Sequence, residues 1–352
     1  MNKILIKIAF LAIFGSVVGN PEIQVSSFKT IDKNLINKSL NENEARIQEA
    51  IFNNPGEIEK IKALSINSNP YSKTQAKVRV GELYNEGERV FIAKRAQKVK
   101  QELELLGIKV NHVPVISACF SGGGYRAMIS TAGFFTGLEK TGLSKLLSYA
   151  SALSGSTWTL APWTCKNCSL SDFKTNLQKR VELGLGAIQN PVQLKQFTDA
   201  LIDKLINLQP ITPVDIYGGL LADKLLNNFD PDRHAVRLSQ SAHFVMTGER
   251  LMPIYTSIIC NEEVYHWMEH TPFETGCSYL KSYVPTWAFG RKFSKGISKD
   301  YAPEQSLGYL MGIWGSAFEI AVKDLIQSES DKIKQSSLFL YSILDHIDDT
   351  AV

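Results

Sequence analysis

Two turns of small residues, each between an apolar run and a helical pattern, constrain the fold of this chain more than any other feature. Residues 113–120 and 147–153 are short apolar runs with the composition of buried strands. Ser121-Gly122-Gly123-Gly124 follows the first run, Ser154-Gly155-Ser156 follows the second, and a helical pattern begins after each turn. Strand, turn, helix and second strand in this order predict a βαβ unit with parallel strands. The chain is therefore predicted to have an α/β fold.

The composition is that of a folded domain and excludes several other classes of protein. Hydrophobic residues make up 44% of the 352 positions and charged residues 21%, which is enough apolar surface to rule out a disordered chain. Five cysteines are too few for a disulfide scaffold. The net charge of +3, with no run of five basic residues, does not indicate a nucleic-acid partner.

The N-terminal part of the chain divides into segments that differ in character. Residues 1–19 carry two lysines before an apolar stretch and end in small residues, which predicts a signal peptide and an exported, secreted or periplasmic, protein. Residues 20–84 form a polar leader with few candidate core residues. Apolar residues at helical spacing predict a helix within 85–107, which leads into the α/β domain of residues 108–352.

The serine turn has the form of a nucleophile elbow. Ser154 lies where a strand turns sharply into a helix, and Ala152 and Ser156 supply the small flanking residues that this close approach requires. The glycine turn alone also fits the G-x-G-x-x-A dinucleotide fingerprint, but the next strand does not end in the acidic residue that binds the ribose. Beside an attacking serine, the backbone N–H groups of a glycine turn are instead what an oxyanion hole requires.

Together these motifs resemble the catalytic domain of the cytosolic phospholipase A2 and fungal lysophospholipase (phospholipase B) family. Ser-Gly-Gly-Gly-Tyr-Arg-Ala-Met at 121–128 and Leu-Ser-Gly-Ser-Thr-Trp at 153–158 carry the resemblance. Later blocks agree in the same order, and they lie at residues 213–218, 253–256, 271–276, 283–286 and 308–318. The resemblance covers about residues 85–325.

The resemblance implies a fold, a reaction and site residues. The fold would be a three-layer sandwich with a mixed, mainly parallel central sheet. The reaction would be hydrolysis of a fatty-acyl ester of a phospholipid or lysophospholipid, with no cofactor and with peripheral contact to a membrane surface. Ser154 is similar to the family nucleophile, Gly123 and Gly124 to the donors of the oxyanion hole, and Arg126 to the arginine that meets the lipid phosphate. A structural ion pair is the alternative role for Arg126.

The general base is the missing element of this comparison. In the family an aspartate activates the serine, and it lies in an Asp-Gly or Asp-Ser-Gly turn downstream of the matching blocks. This chain contains no Asp-Gly, and Asp345, Asp348 and Asp349 lack that context. We therefore expect a C-terminally incomplete domain, which a complementing C-terminal segment would complete if the gene is split. The alternatives are another base or an inactive lipid-binding relative.

Other signals suggest competing functions. His266, Glu269 and His270 match the H-x-x-E-H pattern of zinc peptidases, although Thr271 and Pro272 follow at once and indicate the end of an element. Cys165 and Cys168 form one C-x-x-C pair, for which a local disulfide or two inert thiols are the expected states. A Ser-His-Asp triad also stays open, with four further histidines as candidates: His112, His234, His243 and His346.

Overall fold

A computed structural model describes residues 69–81, 84–166, 168–181, 232–261 and 264–315, together with parts of 196–226. The predicted signal peptide, most of the predicted leader, and residues 316–352 lie outside the described residues. None of the described helices has the length and apolarity needed to cross a bilayer.

The described strands form one sheet of seven strands and one of two. The seven-stranded sheet comprises β1 (Arg79–Val80), β2 (Ile116–Phe120), β3 (Leu147–Leu153), β4 (Met252–Asn261), β5 (Val264–His270), β6 (Glu274–Cys277) and β7 (Ser282–Pro285). The small sheet pairs β8 (Phe293–Ser294) with β9 (Ile297–Ser298).

The helices lie between and after these strands. Their bounds are α1 (Glu86–Leu105), α2 (Gly124–Lys140), α3 (Thr157–Lys166), α4 (Leu170–Val181), α5 (Pro213–Leu225), α6 (Ala242–Val245) and α7 (Leu307–Trp314). Five short 3₁₀ turns complete the described elements, at Leu143–Leu146, Ser154–Ser156, Arg233–Ala235, Leu238–Ser241 and Thr286–Ala288.

The large sheet is mixed, in the order β1-β7-β6-β5-β4-β3-β2. The predicted βαβ unit is confirmed, because β2, β3 and β4 are parallel neighbours. The other four pairings within the described residues are antiparallel, so the parallel part of the sheet is smaller than the sequence predicts. The three parallel strands nevertheless carry both turns of interest, because parallel neighbours end at the same edge of a sheet.

Helices cover both faces of the parallel strands, which confirms the predicted three-layer arrangement. On one face, Phe91 of α1 packs against Tyr149 and Met252. On the other face, Ala150 and Tyr255 belong to the main core together with residues of α2, α3, α5 and α7. Successive side chains of a strand point to opposite faces, so Tyr149 and Ala150 mark the two sides.

A buried arginine attaches α1 to the sheet. The guanidinium of Arg95 donates to the backbone carbonyls of Lys145 and Leu147 before and within β3, at 2.6–2.9 Å. It also donates to those of Gly248 and Glu249 before β4. Since one side chain satisfies four carbonyls from two segments, it fixes α1 against the amino-terminal ends of the parallel strands.

The last part of the segment predicted as a polar leader belongs to the folded body. β1 pairs with β7, and the Arg79 guanidinium makes a bidentate contact with the Glu274 carboxylate on β6. The Asn69 side chain donates to the backbone carbonyl of Tyr301. Residues 69–81 therefore close one edge of the large sheet.

Candidate active site

The two predicted turns meet at the carboxyl edge of the parallel strands. Phe120, the last residue of β2, lies opposite Ala152 near the end of β3, so the chain leaves both strands at the same level. A Cβ atom placed on Gly122 would lie 3.0 Å from the Ser154 Cβ. One placed on Gly155 would lie 2.0 Å from the Gly124 carbonyl oxygen. A side chain at Gly155 would therefore overlap the backbone of the glycine turn, and one at Gly122 would crowd Ser154.

Ser154 has the backbone geometry expected of a nucleophile elbow. Its φ angle is +52°, in the left-handed region that non-glycine residues seldom adopt. Such strain persists only where the surrounding structure imposes it, and it is frequent at functional sites. The side chain is half-buried, and within the described part of the chain no group hydrogen-bonds to its hydroxyl. The hydroxyl is thus available to an incoming group.

The neighbouring serine has a structural role instead. Ser156 is only 1% exposed, and its hydroxyl donates to the Ser121 carbonyl at 2.5 Å. This bond ties the serine turn to the glycine turn. The Thr157 hydroxyl donates to the Ser154 carbonyl, also at 2.5 Å, and holds the first turn of the helix that follows. Of the two serines, Ser154 has the hydroxyl that can react.

The glycine turn supplies the first backbone N–H groups of α2. Gly123 and Gly124 have φ angles of +139° and +57°, which a side chain would oppose. The first N–H groups of a helix lack intrahelical partners, and the helix dipole favours negative charge there. The structure also places Gly122 against Ser154, a contact that the sequence analysis did not assign. The run of three glycines was the available signal, because glycine allows a close approach of another chain segment.

Arg126 projects from the first turn of α2, next to this site. Its side chain is exposed, and among the described residues no carboxylate forms an ion pair with it. The structural ion pair considered for this residue is therefore not found in that part of the chain. An exposed guanidinium can offer two parallel N–H groups to a phosphate.

Aromatic residues that follow the two turns pack against one another. Tyr125 packs edge-to-face on Trp158, with ring centroids 5.9 Å apart, and Trp158 packs in the same way on Tyr217. Burial raises the pKa of Tyr125 to about 12. Apolar surroundings of this kind lower the local dielectric constant and so strengthen the electrostatic effect of backbone dipoles near the two turns.

The described histidines do not complete a triad with Ser154. His234 lies beside Asp223, and His270 binds the Ser257 hydroxyl through Nε2 at 3.0 Å. His243 contacts the Gln240 carbonyl, and His112 is exposed on a loop. His346 and the C-terminal aspartates Asp345, Asp348 and Asp349 lie outside the described residues.

The zinc-peptidase alternative is wrong, because its pattern lies on a strand. In β5, His266 and His270 are four residues apart and are therefore separated by about 13 Å along the strand. Glu269 points to the opposite face of the sheet from both histidines. His266 stacks on Tyr279, and His270 is fully buried with its pKa lowered to about 3 by burial. No cluster of three potential metal ligands occurs within the residues that the structure describes.

The C-x-x-C pair is not bonded. Cys165 and Cys168 are free thiols, and burial raises the pKa of Cys165 to about 12. A thiol with a raised pKa is a poor nucleophile, so of the two expected states the structure has the inert thiols.

Comparisons with known proteins point to one family. A family model described as the lysophospholipase catalytic domain matches residues 116–351. Cytosolic phospholipase A2 zeta of Homo sapiens is 31% identical over 265 residues, which are 70% of this chain and 30% of that protein. Cytosolic phospholipase A2 epsilon of Homo sapiens is 30% identical over 277 residues, with shares of 74% and 31%.

Solved structures agree with the sequence comparisons. Human GIVD cytosolic phospholipase A2 superposes with a TM-score of 0.64 at 26% identity, over 72% of this chain and 35% of that one. The same human protein in complex with methyl gamma-linolenyl fluorophosphonate gives a TM-score of 0.60 at 27% identity, with shares of 68% and 35%. This chain thus spans about a third of the length of these relatives.

Proposed function

The chain belongs to the lysophospholipase catalytic-domain family, and we propose that it hydrolyses fatty-acyl esters of phospholipids or lysophospholipids through an acyl-enzyme on Ser154. The observation that carries this proposal is the contact between the two turns. A strained serine with a free hydroxyl lies against a glycine turn at the start of a helix.

In the proposed reaction, the Ser154 hydroxyl attacks the ester carbonyl and transfers its proton to a base. The backbone N–H groups of Gly123 and Gly124 hold the negative charge that develops on the carbonyl oxygen. Collapse of the tetrahedral intermediate breaks the ester bond, the leaving oxygen takes the proton from the base and departs as the alcohol of the lipid, and the acyl group stays on Ser154. Water then attacks this ester, releases the fatty acid and restores the serine.

Arg126 and the membrane complete the proposed substrate contacts. The exposed guanidinium on the first turn of α2 would bind the lipid phosphate while the acyl ester lies at Ser154. Because the substrate is a membrane lipid, the protein would act on a membrane surface as a peripheral enzyme. The N-terminal sequence further leads us to propose an exported protein.

The base is proposed to come from outside the described residues, from a complementing C-terminal segment. β2 forms an edge of the large sheet as described, and its one neighbour there is β3, which ends immediately before Ser154. A strand added along the free edge of β2 and parallel to it would end at the level of the two turns. A base at that strand end would lie near Ser154.

A second candidate function is lipid binding without catalysis. It is favoured by the Ser154 hydroxyl, which meets no base within the described part of the chain. Proton transfer to a positioned base contributes about 10²- to 10⁴-fold in rate, so a protein without one would bind its lipid and turn it over slowly.

A fluorophosphonate probe and a turnover assay test both functions. When the chain is combined with a complementing C-terminal segment that contains an Asp-Gly turn, the probe should label the unsubstituted protein and the Ser156→Ala variant, and it should not label Ser154→Ala. Ser156→Ala is the matched control, because it removes a neighbouring hydroxyl from the same turn. Labelling that depends on Ser156 and not on Ser154 would refute the assignment.

Hydrolysis of lysophosphatidylcholine, measured with the chain combined with a complementing C-terminal segment that contains an Asp-Gly turn, then separates the two candidate functions. Labelling of Ser154 together with turnover that is lost in Ser154→Ala supports the hydrolase. Binding of the lipid with no turnover above that of Ser154→Ala supports the inactive relative.

A further inference from the structure

Two turns of the large sheet carry exposed apolar side chains at the edge where Ser154 lies. β4 is parallel to β3, and Leu153 pairs with Thr256. β4 continues for five residues beyond that pair, which is about 16 Å past the level of Ser154. The turn between β6 and β7 lies at the same edge, because β6 runs antiparallel to β5 and hence in the direction of β4.

We define the apolar rim as the exposed side chains on the ends of β4 and β5 and in the turn between β6 and β7: Ile258, Tyr265, Trp267, Tyr279 and Leu280. Ile258 pairs with Trp267 across the β4–β5 hairpin, and Tyr265 lies on the same face two residues away. Tyr265 is 71% exposed and Trp267 57%. His266 points to the opposite face and stacks on Tyr279, so the rim surrounds the end of the hairpin.

We propose that the apolar rim inserts into the headgroup boundary of a phospholipid bilayer and so brings Ser154 to the membrane surface. The inference rests on the proposed function in one respect, that the substrate is a lipid in a membrane. Tyrosine and tryptophan are enriched at membrane–water interfaces, because their rings combine apolar area with a polar group. Three of the five rim residues are of this kind.

A second exposed apolar surface lies at the amino-terminal ends of the parallel strands and differs from the rim. Leu105 and Leu106, at the end of α1, are 79% and 56% exposed. They lie near the amino-terminal ends of the parallel strands, because Leu103 of the same helix packs on Leu146 before β3. This surface also exposes apolar area, but these residues are aliphatic and lie away from Ser154. It provides a control of similar exposure.

Charge near the rim predicts which membrane it binds. In the sequence, Glu262 and Glu263 stand between β4 and β5, and the exposed Lys281 follows Leu280. Because two of these three charges are negative, electrostatic attraction to anionic lipid does not drive membrane binding. Apolar burial therefore favours zwitterionic phosphatidylcholine, and added phosphatidylserine should not strengthen binding.

Vesicle sedimentation of the full chain tests the proposal. The protein should bind phosphatidylcholine vesicles, and a Tyr265→Ser/Trp267→Ser variant should bind about 10- to 100-fold more weakly, since two aromatic side chains no longer enter the interface. The control variant Leu105→Ser/Leu106→Ser should bind as the unsubstituted protein does. Equal loss in both variants, or no binding by the unsubstituted protein, overturns the proposal.

Tryptophan quenching tests it with a smaller change to the hairpin. Of the five tryptophans, all of which the structure describes, Trp267 alone is exposed. Brominated phosphatidylcholine should quench the fluorescence of the unsubstituted protein and of Trp287→Phe, and quenching should be lost in Trp267→Phe. Retained quenching in Trp267→Phe would contradict the assignment of the rim.

Two further measurements separate the alternatives. Dimerisation that depends on the rim, without vesicle binding, would assign the rim to a second copy of the chain and overturn the proposal. Vesicle binding does not require Ser154, so Ser154→Ala should bind vesicles normally. If the rim-dependent binding is present and fluorophosphonate labelling of Ser154 is absent, the proposed function fails and the rim stands.

Discussion

Replacing Gly155 by alanine tests whether the contact between the two turns is as close as the structure has it. The new Cβ would lie 2.0 Å from the Gly124 carbonyl oxygen and 2.6 Å from its carbonyl carbon. Non-bonded heavy atoms rest roughly 3.5–4 Å apart, so the turns would have to separate by more than about 1 Å. Both neighbours are backbone atoms, so no side-chain rotation can relieve the overlap.

The expected magnitudes follow from this displacement. Overpacking of this kind destabilises proteins by about 1–3 kcal/mol, and the urea unfolding midpoint of Gly155→Ala should fall accordingly. A 1 Å displacement of reacting groups lowers activity by about 100-fold, so fluorophosphonate labelling of Ser154 should slow by a similar factor.

Gly133→Ala is the matched control. Gly133 is exposed within α2, and a Cβ there would meet no atom within 4 Å. Alanine is favoured over glycine in a helix by about 0.5–1 kcal/mol, so this variant should be more stable, with unchanged labelling. If Gly155→Ala unfolds and reacts as the unsubstituted protein does, the turns do not meet as described.

Three further expectations concern stability and metal. Burial lowers the pKa of His270 to about 3, so between about pH 6.5 and pH 3 the unfolded chain binds one proton more than the folded protein. The free energy of unfolding should therefore fall as the pH drops from about 6.5 toward 3. Thermal unfolding of His270→Gln should depend less on pH over that window. Arg95→Met leaves four backbone carbonyls without their donor and should lower the free energy of unfolding by about 3 kcal/mol or more; a urea midpoint like that of the unsubstituted protein would contradict this role. Purified protein should contain no stoichiometric zinc by elemental analysis, and a zinc content that falls in His266→Ala would contradict the reading of β5.

The sequence predicts the parallel part of the fold well because its signals there are local. The sequence predicts strand β3 with its observed bounds, and it places the start of helix α2 at the glycine turn, where the structure has it. Apolar runs and small-residue turns are properties of neighbouring residues, so they can be found without knowing the fold. The same locality identified Ser154 as the residue at the strand-to-helix turn.

Features that depend on distant partners were not predictable in this way. Residues 69–81 offer few candidate core residues in the sequence, whereas Arg79 binds a carboxylate 195 positions away. The H-x-x-E-H pattern indicates a zinc site only when it lies on a helix. Here the pairing of β4 with β5 places it on a strand. The contact of Gly122 with Ser154 likewise arises only when β2 and β3 pair.

The pairing of β1 with β7 also has a consequence for how the chain folds as it is synthesised. Synthesis proceeds at about 5–20 residues per second, so the 195 positions between Arg79 and Glu274 take roughly 10–40 s to translate. Contacts between such distant residues slow folding, because a long loop must close before they form. The strand that closes this edge of the sheet is therefore among the first segments to emerge and among the last that can find its partner.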